Sequence, residues 1–172
     1  MNPRHRLCAI PAAALALAGC AALQPPSFPP GTPASAVEAR MGRPPSVVKA
    51  PDGDTVWQFP NGPVGQTTYM VRLGPDQRVK SVTQALTLQE FAKIQRGTTE
   101  EQVRLLLGPP GETMQFARMN EEVWSYRYQA SLSDNRIFNV NFDAKTRVVR
   151  STGDQIDVLL NPIDFGTSAA GF

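Results

Sequence analysis

The chain repeats itself, and this restricts its fold more than any other feature. Gly31-Thr32, Val37, Met41, Gly42 and Pro44 recur as Gly97-Thr98, Val103, Leu107, Gly108 and Pro110 at a constant offset of 66 residues. Val56-Trp57-Gln58-Phe59 matches Val123-Trp124-Ser125-Tyr126 at 67, and Tyr69-Met70-Val71-Arg72-Leu73 matches Phe138-Asn139-Val140-Asn141-Phe142 at 69. Small loop insertions account for the drift. Recurrence of glycines, prolines and a tryptophan in one order marks tandem structural units. A unit of about 65 residues buries too little surface to be comfortable alone. Two fused units sharing a sheet or core are therefore expected to make one body.

Each unit reads as a helix followed by strands. Thr98 with Glu101 has the spacing of a capping box ahead of Val103, Leu106 and Leu107, and Gly108 with Pro109-Pro110 ends that helix. The first unit offers Thr32 as cap, Pro33 at the first helical position and Gly42 as the stop. Thr87 and Glu90 open a further short helix carrying Leu88, Phe91 and Ile94. Downstream, Trp124, Tyr126 and Tyr128 alternate with polar neighbours, as do Phe138, Val140 and Phe142. Trp57 and Phe59, then Tyr69, Val71 and Leu73, do the same in the first unit. Period-two alternation predicts antiparallel strands with one buried and one wet face, turning at Asp76-Gln77 and Ala144-Lys145. The helices are expected to cover the apolar face, giving an α+β, two-layer domain.

The N-terminus has the order of a secretory signal. Arg4, His5 and Arg6 precede an uncharged run from Leu7 to Ala18. Twelve residues of helix reach only about 18 Å, too short to span a bilayer. Leu17-Ala18-Gly19-Cys20 resembles the lipobox of bacterial lipoproteins, in which the cysteine is acylated and the chain is cut before it. That resemblance implies a lipid anchor at Cys20, and Ala21 in place of aspartate implies sorting to the outer membrane, with the domain facing the periplasm. The chain then divides into a signal peptide (1–19), a proline-rich tether (20–30), a first, degenerate repeat (31–86), a second repeat (87–153) and a C-terminal short helix with a loose tail (154–172).

Cleavage at that point changes the available chemistry. Two of the 17 basic residues, Arg4 and Arg6, leave with the signal, which brings the basic count level with the 15 acidic residues. A neutral surface argues against nucleic acid, whose binding depends on clustered cations. The sole histidine, His5, and the other cysteine, Cys8, are lost as well. Ser-His-Asp and Cys-His catalysis, histidine- or cysteine-bound zinc and disulfides are thereby excluded from the mature chain. No cofactor or metal is expected.

The unit G-T-x-x-x-x-V-x-x-x-x-G-x-P followed by V-W-x-[FY] resembles the SmpA/OmlA, BamE-like family of outer-membrane lipoproteins. The second repeat fits best, through Phe91, Ile94, Gly97-Thr98, Val103, Leu106-Leu107-Gly108-Pro109-Pro110 and Trp124-Ser125-Tyr126. The tandem arrangement also resembles the β-lactamase inhibitor protein, whose repeats form a sheet that grips an enzyme. These resemblances imply a non-enzymatic protein that acts through contacts in envelope or outer-membrane assembly, with the β-barrel assembly machinery as a possible partner. The alternative is a periplasmic module that captures a soluble enzyme on its sheet.

A carboxylate enzyme would need Glu121 and Glu122 to converge, but neighbours on a strand point to opposite faces. Both read instead as solvated turn residues. Trp57 and Trp124 occupy equivalent core positions. The interface candidates lie on the expected wet face: Gln58, Thr68 and Arg72 in the first repeat, and Ser125, Arg127, Asn139 and Asn141 in the second. Arg127 and Arg136 are candidates for meeting an acidic partner or anionic headgroups.

Overall fold

In a computed structural model, residues 26–62 and 64–161 are described; Cys20, the lipobox and residues 162–172 lie outside them. The first unit comprises α1 (Ala34–Met41), β1 (Ser46–Lys49), β2 (Thr55–Pro60), β3 (Thr68–Leu73) and β4 (Val79–Gln84). The second comprises α2 (Leu88–Phe91), α3 (Glu100–Leu107), β5 (Glu112–Phe116), β6 (Glu121–Ser131), β7 (Asp134–Asp143) and β8 (Val149–Ile156). A 3-10 turn, Ala117–Met119, joins β5 to β6. Each unit forms its own antiparallel meander, β1-β2-β3-β4 and β5-β6-β7-β8. The α+β class holds, with two sheets whose units share core contacts rather than a sheet.

The repeat extends to backbone detail. The N–H groups of Gly31 and Gly97 donate to the carbonyls of Val79 and Val149, and those valines donate back to the carbonyls of Thr32 and Thr98. Gln77 and Arg147 hold equivalent left-handed positions at φ 59° and 58°. The β3–β4 and β7–β8 ladders slip at matching places, Arg72/Leu73 and Asn141/Phe142.

This backbone tie also moves the helix caps from where the sequence placed them. With its carbonyl engaged by Val149, Thr98 stays outside the helix, and Thr99 caps α3 in a complete capping box with Gln102. Pro33 takes the equivalent position in the first unit and caps α1 without a side-chain bond, while the Thr32 hydroxyl donates to the Pro29 carbonyl at 2.6 Å. Thr87 does cap α2, accepting from the Glu90 N–H.

The two-layer expectation is corrected to a stack of four layers. On one face of the first sheet, Val37 of α1 packs with Phe59, Val71, Leu73 and Val79, and Trp57 borders this cluster. The second sheet builds the larger core, in which Val103 and Leu107 of α3 meet Trp124, Tyr126, Tyr128, Phe138, Val140 and Phe142. Phe91 stacks on Phe138 at 4.2 Å between centroids and meets Tyr128 edge-on. Successive helical residues turn by 100°, so Leu105 faces almost opposite Val103. It packs on Val56, Met70, Ala50 and Ala85, the back of the first sheet. A helix apolar on two sides has to be covered on both. Hence α3 lies between the sheets, and the order is α1, first sheet, α3, second sheet.

Two further expectations fail. The C-terminal short helix is absent, because β8 continues through Gln155 to Ile156 in register with Ile137 and Arg136. A turn follows, closed by Asn161 N–H to the Asp157 carbonyl at 2.8 Å. The end of the proline-rich segment is also not free of the domain: Phe28 packs on the first core and Arg40 lies over its ring at 5.5 Å.

Candidate functional site

The expected wet face of the first sheet is not wet. Gln58 is fully buried and Thr68 nearly so, because α3 lies over them. Gln58 Nε2 donates to the Arg104 carbonyl at 2.7 Å, and its Oε1 accepts from Ser46 Oγ at 2.8 Å. Arg104 lies in the last turn of α3, and its carbonyl, which already accepts the Gly108 N–H at 2.9 Å, takes the Gln58 amide as a second donor. Gln58 therefore bonds the helix end of the other unit, which is how a buried amide is satisfied here. It is not an interface residue.

Arg72 is partly exposed but committed within the chain. Its Nε donates to Asp54 Oδ2 at 2.7 Å, a second guanidinium nitrogen reaches Asp52, and Lys80 Nζ meets Asp54 Oδ1 at 2.6 Å. The Asp54 side chain is only 2% exposed, and these bonds, Lys80's first and Arg72's next, hold its carboxyl below the usual carboxylate range. Asp143 is held low as well, chiefly by the backbone N–H of Thr146 and also by Lys145 and Arg150. A carboxyl whose folded pKa is depressed adds stability above its unfolded value of about 4, and loses it as pH falls through the folded pKa. Stability should thus decline progressively below about pH 4. Asp54→Asn should flatten that decline in melting curves recorded from pH 6 to pH 2, and an unchanged pH profile would refute this origin.

The second sheet differs. Its inner face is the core just described, while its outer face carries Ser125, Asn139 and Asn141 half-buried, with exposed Ser151 and Gly153 on β8. Ser125 Oγ donates to Asn139 Oδ1 at 2.7 Å, and Asn141 Nδ2 to Ser151 Oγ at 3.0 Å. Met114, 48% exposed, pairs with Val123, and Val123 with Asn141. Among the described residues no helix covers this face. The sequence located three of its polar residues but missed Met114, because β5 (Glu-Thr-Met-Gln-Phe) has no apolar alternation to mark it as a strand.

The arginine candidates are corrected. Arg127 Nε bonds Asp157 Oδ2 at 3.0 Å, pinning the C-terminal turn to the end of this face. Arg136 bonds Asp154 at 2.9 Å and also approaches Asp134. Tyr128 shares Asp154, its hydroxyl donating to Oδ2 at 3.0 Å.

Glu122 is corrected too: it is 7% exposed and part of β6, not a solvated turn. It accepts from Trp124 Nε1 at 2.7 Å and from Arg147 Nη1 at 2.6 Å, while Arg147 also pairs with Glu100. Burial pushes the Glu100 carboxyl up, against the pull of Arg147. Arg104 lies over the Trp124 ring at 5.2 Å. Trp124 is thus sealed inside its own unit at 3% exposure, whereas Trp57 is only partly buried.

The family model of the outer membrane protein assembly factor BamE domain matches residues 84–152, from the end of β4 into β8. No curated protein matches the chain. Among solved structures, a proposed beta-lactamase inhibitor protein from Streptococcus mutans aligns at 10% identity over 73% of this chain and 83% of its own, with a TM-score of 0.30. Residues 84–152 are thus similar to the BamE domain, and they follow a first unit built to the same plan.

Proposed function

We propose that the protein is a non-enzymatic lipoprotein, anchored through Cys20 to the outer membrane and facing the periplasm, that supports outer-membrane protein assembly by docking a protein partner on the outer face of its second sheet. One observation carries this reading. The BamE-like match falls on the unit whose sheet keeps an uncovered face. The equivalent face of the first sheet is occupied: Val56, Gln58 and Met70 correspond to Val123, Ser125 and Asn139, and α3 covers the first set. A face that accepts protein in one unit and stays open in the other is a natural place for a partner.

A photo-crosslinking residue at Asn139, in living cells, is expected to capture a component of the β-barrel assembly machinery. The same probe at Ala39, on the exposed side of α1, serves as control. Capture of a soluble periplasmic enzyme alone would replace this reading with an inhibitory one. Anchoring is tested separately: Cys20→Ala should move the protein out of the membrane fraction, and unchanged fractionation would overturn lipidation.

A further inference from the structure

The two tryptophans occupy equivalent places but have different surroundings, and the difference defines a second site. In the second unit, Arg104 covers Trp124 and the Glu122–Arg147–Glu100 cluster closes the remaining side. In the first unit the corresponding positions are Glu38 for Arg104, Thr55 for Glu122, Gln77 for Arg147 and Ala34 for Glu100. Neither of the two equivalent positions, Glu38 and Gln77, carries the arginine found in the second unit. A groove of about 400 Å³ remains instead, lined by Trp57, Glu38, Asp76, Ser35, Pro33 and Arg78 among others.

The groove is net negative, because two carboxylates, Glu38 and Asp76, share it with one guanidinium, Arg78. Glu38 has no ion-pair partner among the described residues, and Asp76 accepts only the backbone N–H of Arg78. Arg78 keeps its charge but is held by a backbone carbonyl, and two lysines of the same unit are also bonded to other groups. Arg78 Nη1 donates to the Gly31 carbonyl at 2.7 Å, Lys49 Nζ to the Thr55 hydroxyl at 2.7 Å, and Lys80 to Asp54. An indole ring beside two carboxylates matches a guanidinium, which stacks on aromatic faces and bonds carboxylates as a planar fork.

We propose that this groove receives an arginine side chain from a partner protein, its guanidinium over Trp57 and its N–H groups toward Glu38 and Asp76. The bound arginine would play the part that Arg104 plays within the second unit. This site is separate from the open sheet face and does not depend on the docking proposed there.

The test uses the full lipidated chain in detergent micelles, with N-acetyl-arginine amide as probe and the indole N–H signals of both tryptophans as readout. The Trp57 signal is expected to shift saturably while that of Trp124, already covered, stays still. The neutral N-acetyl-citrulline amide should bind at least about tenfold more weakly. Glu38→Arg, which supplies the cation from the helix as in the second unit, should abolish the shift. Should that variant not fold, the Glu38→Gln/Asp76→Asn pair should weaken binding at least about fivefold. A Trp57 signal that ignores the arginine probe, responds equally to citrulline or is unaffected by these substitutions would overturn the proposal.

Discussion

Gly108→Ala is expected to lower the melting temperature by roughly 10 °C. Gly108 ends α3, as its sequence position implied, at φ 83° and ψ −167°. This region of the map is essentially restricted to glycine and costs about 1–3 kcal/mol for other residues. A Cβ here would also stand 3.0 Å from Thr68 Cγ2 and 3.4 Å from Met70 Cε, on the back of the first sheet. The residue cannot easily move aside, since its carbonyl accepts from the Tyr126 hydroxyl at 3.2 Å and its N–H donates to the Arg104 carbonyl at 2.9 Å.

Gly42→Ala provides the internal control. Gly42 ends α1 with nearly the same dihedrals, φ 79° and ψ −175°, but a Cβ there meets nothing within 4 Å. Its loss should reflect backbone strain alone and be smaller by about 1 kcal/mol. Equal losses in the two variants would mean that α3 is not pressed against the first sheet.

The sequence made the repeat, the class of fold and the hairpin turns legible, because each rests on local chemistry. Glycine stops and period-two aromatics need no knowledge of distant contacts, whereas Thr32 and Thr98 fail as caps because Val79 and Val149 engage their carbonyls. What it obscured was which face of the first sheet meets water. Gln58 and Thr68 are polar, and alternation put them outside; the structure buries them because α3 supplies a carbonyl for Gln58 and a surface for Thr68. The contrary signal was present in Val56 and Met70, apolar residues on the supposed wet face, and in Leu105, a third leucine pointing away from the helix's own core. In the second sheet the same alternation correctly marked Ser125, Asn139 and Asn141 as lying outside the core, since no helix among the described residues covers them. Arg127, Arg136 and Glu122 were misjudged for another reason. Their partners Asp157, Asp154 and Arg147 are 30, 18 and 25 residues away, beyond any local pattern.

Leu105→Asp is expected to uncouple the two units. The leucine packs on Val56, Met70, Ala50 and Ala85, where an ionised carboxylate would be brought against apolar side chains with no cation among them. Loss of the packed side chain and burial of part of a charge should together cost about 2–4 kcal/mol. Because Val103 and Leu107 face the other way, the second core should survive the change. The cost should therefore fall on the first unit, whose sheet would lose the cover of one face while keeping α1 on the other. Differential scanning calorimetry of the variant should resolve two transitions where the parent gives one, with the lower assigned to the first unit by hydrogen exchange at Val71 and Leu73. Leu105→Ala should lower stability less and keep a single transition. If the aspartate variant still melts in one step at the parent temperature, α3 does not join the sheets, and the four-layer arrangement falls with it.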